Sequence, residues 1–280
     1  MNSTRTLSFE FFPTRSEEGR AKLAVTRRQL RQFSPQFFSC TFGAGGSTRS
    51  GTLQTVTDIM QEGMPAAPHL ACIGARRHEL LEILDGYKAL GIKHLVALRG
   101  DIPSGVGLST ADGLHYANEL VEFIRKEYGD WFHIEVAAYP EFHPQSRSAE
   151  DDLRHFVRKC EAGADSAITQ YFYNADAYFH FVDEVQARGV DIPIVPGIMP
   201  IAGFSKLARF SDMCGAEIPR WLRLKLQSYA DDSASVKALG LDVVTELCDT
   251  LLAGGAPGLH FYTLNQAGLC STVCQRLGLG

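Results

Sequence analysis

The chain lacks any stretch of about 20 consecutive apolar residues, the length that an α-helix needs to cross a bilayer. Its N-terminal apolar run is too short and too acidic for a signal peptide, so we expect a cytoplasmic protein without a membrane partner. A basic stripe is also missing, because 27 Lys and Arg residues stand against 32 Asp and Glu residues. Contact with a nucleic-acid backbone requires such a stripe, so nucleic acid is not an expected partner.

Several motifs that would identify a class of protein are absent. The seven cysteines contain no CxxC pair, and their odd number does not fit a disulfide framework, so we expect them to be small core residues. No HxH or HExxH pair presents two ligands at once, so no metal is predicted. Neither a Rossmann fingerprint nor a P-loop occurs. Since no lysine ends a strand, a Schiff-base aldolase is not expected.

The sequence does contain a regular alternation of short apolar runs and longer amphipathic segments. Strict alternation predicts parallel strands joined by right-handed crossovers, and eight such units close most naturally into a barrel. We therefore predict a single (β/α)8 TIM barrel, one domain over residues 1–280, with extra helices between 200 and 257 before the last strand. The predicted strands are 7–12, 37–42, 67–72, 93–99, 133–140, 166–173, 193–199 and 259–265.

The carboxyl ends of these strands carry polar residues, and the active sites of such barrels lie at that end. The polar residues there are Glu10, Thr41, His69, Arg99, Asp101, Tyr139, Glu141, His143, Gln170, Tyr262 and Asn265. Their common position predicts that they line one site.

Glu10 is the most specific of these residues, because it lies between Phe9 and Phe11 and shortly before Pro13. Few water molecules would solvate its charge, and desolvation raises the pKa of a carboxyl group. A raised pKa would let Glu10 hold a proton near neutrality and act as a general acid. The alternative is a structural ion pair with Arg99 or another cation at a strand end.

The other polar residues leave more than one interpretation open. Asp101 could form only a local salt bridge with Arg99, and His69 and His143 could be ordinary loop or core histidines. A metal-dependent hydrolase would use Glu10 together with the same His and Asp residues, so that class also stays open.

One face of the predicted fifth helix, which Ser148 caps, carries Asp152, either His155 or Phe156, and Lys159. This stripe could reach a ligand over the barrel mouth, or it could be a solvated charged face.

The strand-end motifs taken together resemble those of the bacterial-type methylenetetrahydrofolate reductases, in order and over about the whole chain. The motifs are SFEFFP, TFGAGGSTR, APHLAC, ALRGD, AAYPEFHP, ITQYFY, PGIMPIAGF and HFYTLN. The resemblance implies a homo-oligomeric FAD enzyme that passes a hydride from NADH or NADPH through the flavin to 5,10-methylenetetrahydrofolate. The product, 5-methyltetrahydrofolate, would feed methionine synthesis.

The resemblance also implies roles for individual residues. Glu10 matches the general acid that protonates the folate, and Asp101 matches a carboxylate that stabilises the resulting iminium cation. Gln170, Phe204 and Tyr262 match the pocket that holds the pterin and the nicotinamide in turn. The positions that match flavin contacts are Thr41, Phe42, Ala44, His69, Arg99, Gly100, Asp101, Tyr139, His143, Asp152, His155 and Lys159.

Two residues depart from the family pattern. Gln266 stands where an arginine is expected to help bind folate, and His155 stands where an asparagine is expected beside the flavin. Two further alternatives on the same fold stay open: a flavin-free reductase, which moves hydride directly from nicotinamide to folate, and a non-catalytic partner subunit that binds flavin. The sequence does not decide between NADH and NADPH.

Overall fold

The computed structural model describes residues 5–42, 49–100, 112–229 and 232–280. These residues contain nine strands and ten helices, which alternate along the chain except that β8 follows β7 directly and three helices precede the last strand. The strands are β1 (Thr6–Phe11), β2 (Phe37–Cys40), β3 (Ala66–Ala71), β4 (His94–Leu98), β5 (His133–Ala138), β6 (Ser166–Thr169), β7 (Ile194–Val195), β8 (Gly197–Ile198) and β9 (Gly258–Tyr262). The helices are α1 (Glu17–Arg31), α2 (Arg49–Gln61), α3 (Arg77–Ala89), α4 (Ala117–Tyr128), α5 (Ala149–Glu161), α6 (Ala175–Ala187), α7 (Phe204–Cys214), α8 (Arg220–Ser228), α9 (Ser233–Ala253) and α10 (Gly268–Arg276).

The strands form one parallel sheet in the order β7-β6-β5-β4-β3-β2-β1-β9-β8. The two ends of this order, β7 and β8, are consecutive in the chain and are separated by Pro196. β7 pairs with β6 and β8 pairs with β9, so the sheet closes on itself. The predicted barrel is confirmed.

The predicted seventh strand, 193–199, is divided into β7 and β8. Pro196 has no N–H to donate to a neighbouring strand, so the ladder is interrupted there. Its carbonyl oxygen still accepts a 3.0 Å hydrogen bond from the His260 N–H. Each half of the segment therefore pairs with a different neighbour, and this division raises the number of strands from eight to nine.

Gly197 permits the close approach at this closure. A Cβ atom on Gly197 would lie 2.1 Å from the carbonyl oxygen of Thr169 and 2.6 Å from Cε2 of Tyr262. The Gly197 N–H donates a 2.8 Å hydrogen bond to the Thr169 hydroxyl. Any other residue would push β6, β8 and β9 apart.

Successive side chains of β1 point to opposite faces of the barrel wall. Phe9 and Phe11 are fully buried and pack with Phe38 and Phe261 of the neighbouring strands. Burying each of these rings contributes roughly 2–3 kcal/mol. The intervening Ser8 and Glu10 occupy the opposite face. A smaller apolar cluster of Phe37, Ala67, Val96 and Ile168 is separate from the main core.

Three helices, α7, α8 and α9, fill the segment between 200 and 257, as predicted. All seven cysteines are free, and five of them are buried. None of the described helices is both long and apolar enough to cross a membrane.

Candidate active site

Glu10 lies near the carboxyl end of β1, in register with Ser39 of β2 and Tyr262 of β9. Only 8% of the residue is exposed. Two imidazole rings flank its carboxylate: Nε2 of His69 lies 3.2 Å from Oε2, and Nε2 of His260 lies 3.7 Å from the same oxygen. The described part of the site therefore centres on one buried carboxylate and two buried histidines.

Neighbouring strands fix the positions of these groups. Oγ of Ser8 lies 2.7 Å from Nδ1 of His260, so in either tautomer Nε2 remains the ring nitrogen nearest Glu10. The hydroxyl of Thr263 donates a 2.6 Å hydrogen bond to the backbone oxygen of Glu10. The side-chain amide of Asn265 bonds both backbone groups of Phe12 at 2.8 and 3.0 Å. The segments at the carboxyl ends of β1 and β9 are thus joined at Glu10 and again at Phe12.

The pKa of Glu10 is lowered, whereas the sequence led us to expect that it would be raised. Burial does raise this pKa, as the sequence suggested, but the charge and contacts of His69 and His260 lower it by more, to about 2. The aromatic rings that flank Glu10 in the sequence do not set its pKa, because Phe9 and Phe11 are fully buried on the other face of the strand. Glu10 is therefore an ionised carboxylate at neutral pH.

Of the alternative ion pairs considered for Glu10, the one with Arg99 does not form in the described residues. Arg99 instead bonds the side chain of Gln145 and the carbonyl oxygen of Gly100. The partners of the Glu10 carboxylate are histidines.

His260 is a site residue that the sequence analysis missed. It lies in the middle of β9 rather than at its end, and it is fully buried. The alternation of side chains along a strand could have identified it: His260 and Tyr262 are two residues apart on one strand, so they share a face. Their register with Ser8 and Glu10 places that face against the carboxylate.

A second group of predicted residues lies where β4 and β5 end. The ammonium of Lys159 on α5 donates a hydrogen bond to the carbonyl oxygen of Ala137. Burial lowers the pKa of Lys159 to about 8, and the charge of Asp152 offsets only part of that effect. No carboxylate within the described residues lies within ion-pair distance of Lys159 or Arg99. Among the described residues, therefore, neither cation has an ion-pair partner, although the charge of Asp152 acts on Lys159 from a longer distance.

Asp152 organises the segment between β5 and α5. Its carboxylate accepts hydrogen bonds from the His143 N–H at 3.0 Å and from the Ser146 hydroxyl at 2.9 Å. The rings of His143 and Tyr139 meet edge to face, with centroids 4.6 Å apart. The Ser148 hydroxyl accepts from the Asp151 N–H, so Ser148 caps α5 as predicted. The structure brings Tyr139, His143 and Asp152 together.

Gly100 lies beside Arg99 in a left-handed conformation with φ of 83°. A Cβ atom there would lie 2.8 Å from Cβ of Ala71 and 3.0 Å from Cγ2 of Ile73. Only glycine adopts this φ without strain and leaves that space free. The residue therefore fixes the course of the chain after β4.

The remaining predicted residues lie around the same end of the barrel or beside it. Thr41 and Phe42 follow β2, and Gln170 follows β6. The Tyr262 hydroxyl donates a 2.7 Å hydrogen bond to the Thr169 carbonyl oxygen. Phe204 begins α7, whereas His155 and Gln266 are exposed. Ala44 and Asp101 lie outside the described residues.

The hydrolase interpretation gains nothing from this geometry. Asp101, one of its four residues, is outside the described part of the chain, and His143 is engaged in the segment before α5. Across the described residues, a single group of three His, Cys, Asp or Glu side chains has its ligand atoms within 4.8 Å of one another. That group contains none of the four residues.

Comparison with known proteins supports the family resemblance that the strand-end motifs indicate. Residues 1–278 match the family model of methylenetetrahydrofolate reductase. A 5,10-methylenetetrahydrofolate reductase of Salmonella typhimurium is 40% identical over 98% of this chain and 90% of its own length. The Escherichia coli enzyme of the same name is 39% identical with the same coverage. An Arabidopsis thaliana methylenetetrahydrofolate reductase (NADH) is 37% identical, and the match covers 48% of that protein.

A solved structure gives independent support for the fold. It is described as an uncharacterized Clostridium thermocellum protein that binds two copies of 5-methyl-5,6,7,8-tetrahydrofolic acid. It superposes with a TM-score of 0.63 at 17% identity, over 97% of this chain and 93% of that one. The family model and the full-length relatives together lead to one conclusion: this chain belongs to the methylenetetrahydrofolate reductase family.

Proposed function

We propose that this chain, acting as one catalytic domain, reduces 5,10-methylenetetrahydrofolate to 5-methyltetrahydrofolate with a hydride from NADH or NADPH that passes through FAD. The observation that carries the proposal is the buried Glu10 carboxylate between His69 and His260 at the strand ends of a barrel of this family. We further propose a cytoplasmic homo-oligomer that supplies methionine synthesis. The name of the Arabidopsis relative favours NADH as the reductant.

The cations beside β4 and β5 fit the diphosphate of FAD. Lys159 and Arg99 lack ion-pair partners among the described carboxylates, and the pKa of Lys159 is lowered because burial costs its ammonium most of its hydration. A diphosphate would restore the missing negative charge and would accept hydrogen bonds from both side chains. When bound, FAD supplies the chemistry of accepting and donating a hydride.

The proton that the folate ring needs would come from the cluster of Glu10, His69 and His260. Burial raises the pKa of Glu10, and its contacts with His69 and His260 lower that pKa by more, to about 2, so the group is ionised before the reaction. In this proposal a proton reaches the carboxylate across the 3.2 Å contact with Nε2 of His69, and Glu10 then delivers it to the folate.

The residues of β6, β9 and α7 would position the substrates. Tyr262 is held by its hydrogen bond to Thr169, so its ring forms a fixed wall beside Glu10. Gln170 and Phe204 would offer an amide and an apolar ring to the pterin or the nicotinamide in turn. Asp101, outside the described residues, would stabilise the iminium cation.

An anaerobic stopped-flow experiment tests this function. We expect the purified yellow protein to be bleached by NADH or NADPH and to be reoxidised by methylenetetrahydrofolate. Activity in a protein that releases no FAD on denaturation would instead establish the flavin-free mechanism. A yellow protein without either half-reaction would indicate a non-catalytic partner subunit, and activity lost to chelators would indicate a hydrolase.

A further inference from the structure

A second polar cluster lies at the amino-terminal ends of β4 and β5, away from the strand ends that carry Glu10. His94 is the first residue of β4, and His133 is the first residue of β5, directly opposite it in register. Glu135 follows His133 by two residues on the same strand, so alternation places both side chains on one face. Ligand atoms of the three side chains all lie within 4.8 Å of one another.

Two atoms of this cluster are buried without a hydrogen-bond partner among the described residues: Nδ1 of His94 and Oε2 of Glu135. Glu135 is only 4% exposed. Its other oxygen, Oε1, lies 3.5 Å from Nε2 of His133, which is a long contact for a charged pair. Burying a carboxylate oxygen without a hydrogen-bond partner costs free energy of folding. The unpaired imidazole nitrogen beside it is a second buried polar atom without a partner.

The neighbours of the cluster hold the rings in place. Nε2 of His133 lies 2.7 Å from the Ser166 hydroxyl, and its Nδ1 lies 4.0 Å from a carboxylate oxygen of Asp165. The ring of Phe37 stacks on His94 with centroids 5.3 Å apart. The contact with Ser166 and the stacked Phe37 ring limit the rotation of the two imidazoles, and such support of the ligands is usual in protein metal sites.

We propose that His94, His133 and Glu135 bind a divalent transition-metal ion, with Zn²⁺ as the ion that this donor set suits. Two imidazoles and one carboxylate are a recurrent Zn²⁺ ligand set, completed by water at the fourth position. The side chain of His133 is 41% exposed, which gives the ion access to that position. Ligand atoms within 4.8 Å need small side-chain rotations to reach one ion, and the Ser166 hydroxyl would move aside.

No metal is predicted from the sequence, because the chain contains no HxH or HExxH pair and a site was expected only at the strand carboxyl ends. The pair His133-Ile134-Glu135 presents two ligands on one strand face in the same way as HxH does, and His94 completes the set across the ladder. The proposed ion stabilises the amino-terminal end of the barrel and takes no part in hydride transfer, so the proposal is independent of the proposed function.

The test is titration of the metal-free full chain with Zn²⁺ by calorimetry. We expect one equivalent to bind and the melting temperature to rise, whereas Glu135→Gln and His133→Gln should weaken binding at least about tenfold. His180→Gln, on the exposed surface of α6, is the matched control and should bind as the unaltered chain does. Reductase activity should be the same with and without the ion.

Titration with Co²⁺ keeps the test decisive even where a variant fails to fold. With the unaltered chain, bound Co²⁺ should show the visible absorption spectrum of an ion held by nitrogen and oxygen ligands. A sulfur-to-cobalt charge-transfer band would place the ion on the free cysteines and overturn the proposal. It is equally overturned by the absence of stoichiometric binding, or by binding of undiminished strength in both Glu135→Gln and His133→Gln.

Discussion

The hydroxyl of Thr263 donates a 2.6 Å hydrogen bond to the backbone oxygen of Glu10, a residue 253 positions earlier in the chain. The bond joins β1 to the segment after β9 directly behind the acidic side chain. Glu10 is therefore positioned by barrel closure, and substitutions of its carboxylate should change its chemistry while leaving its place in the fold intact.

The first prediction concerns the two half-reactions. In Glu10→Gln, flavin reduction by NADH should continue within a few-fold of the normal rate, because that step needs no proton from residue 10. Reoxidation by methylenetetrahydrofolate should fall by roughly 10²–10⁴, the usual contribution of a general acid. Anaerobic stopped-flow absorbance measures both rates, with Glu17→Gln on the exposed start of α1 as control. An equal loss in both half-reactions would contradict the role given to Glu10.

The second prediction concerns stability in acid. The pKa of Glu10 falls from 4.5 to about 2 on folding, so the stabilisation it reflects is fully present above pH 4.5 and is lost as the pH falls toward 2. Between pH 5 and pH 3 the unaltered chain should lose roughly 2 kcal/mol more than Glu10→Gln. Urea unfolding at pH 5 and pH 3 gives the comparison. Parallel losses in both proteins would mean that folding does not lower this pKa.

The third prediction concerns Lys159. Because burial lowers its pKa to about 8, part of the population is neutral at pH 8.5, and a bound diphosphate should recharge it. FAD binding should then take up a fraction of a proton, measurable by calorimetry in two buffers of different ionisation enthalpy. Lys159→Met should bind FAD more weakly and lose most of the uptake, and Lys126→Met, 81% exposed on α4, should behave normally. Unchanged proton uptake in Lys159→Met would exclude this residue from the diphosphate site.

The fourth prediction compares two glycine substitutions. In Gly197→Ala the new methyl group would meet the Thr169 carbonyl oxygen and the Tyr262 ring, so unfolding free energy should fall by at least roughly 2 kcal/mol. In Gly86→Ala, within α3, a Cβ meets no atom within 4 Å, and stability should rise by up to about 1 kcal/mol. Chemical denaturation measures both. A harmless Gly197→Ala would show that the barrel closes less tightly than described.

Much of the fold could be predicted because its determinants are local. Alternating strand and helix patterns predicted the barrel and the three helices before the last strand. The division of the seventh strand at Pro196 was harder to predict from the sequence, because it depends on which neighbouring strand each half pairs with. The predicted direction of the Glu10 pKa shift was wrong for the same reason. The flanking phenylalanines are neighbours in the sequence, whereas His69 and His260 come from other strands, and only barrel closure brings them to the carboxylate.

The division of the seventh strand bears on how the barrel opens locally. β7 and β8 contribute two residues each, so their ladders carry fewer hydrogen bonds than the longer pairing of β1 with β9. Amide protons along this seam should exchange with solvent before those beside Glu10, because short ladders open at lower free energy. The chain leads from this seam to Phe204 at the start of α7. The barrel wall should therefore loosen first at this seam, while the strand that holds Glu10 stays closed.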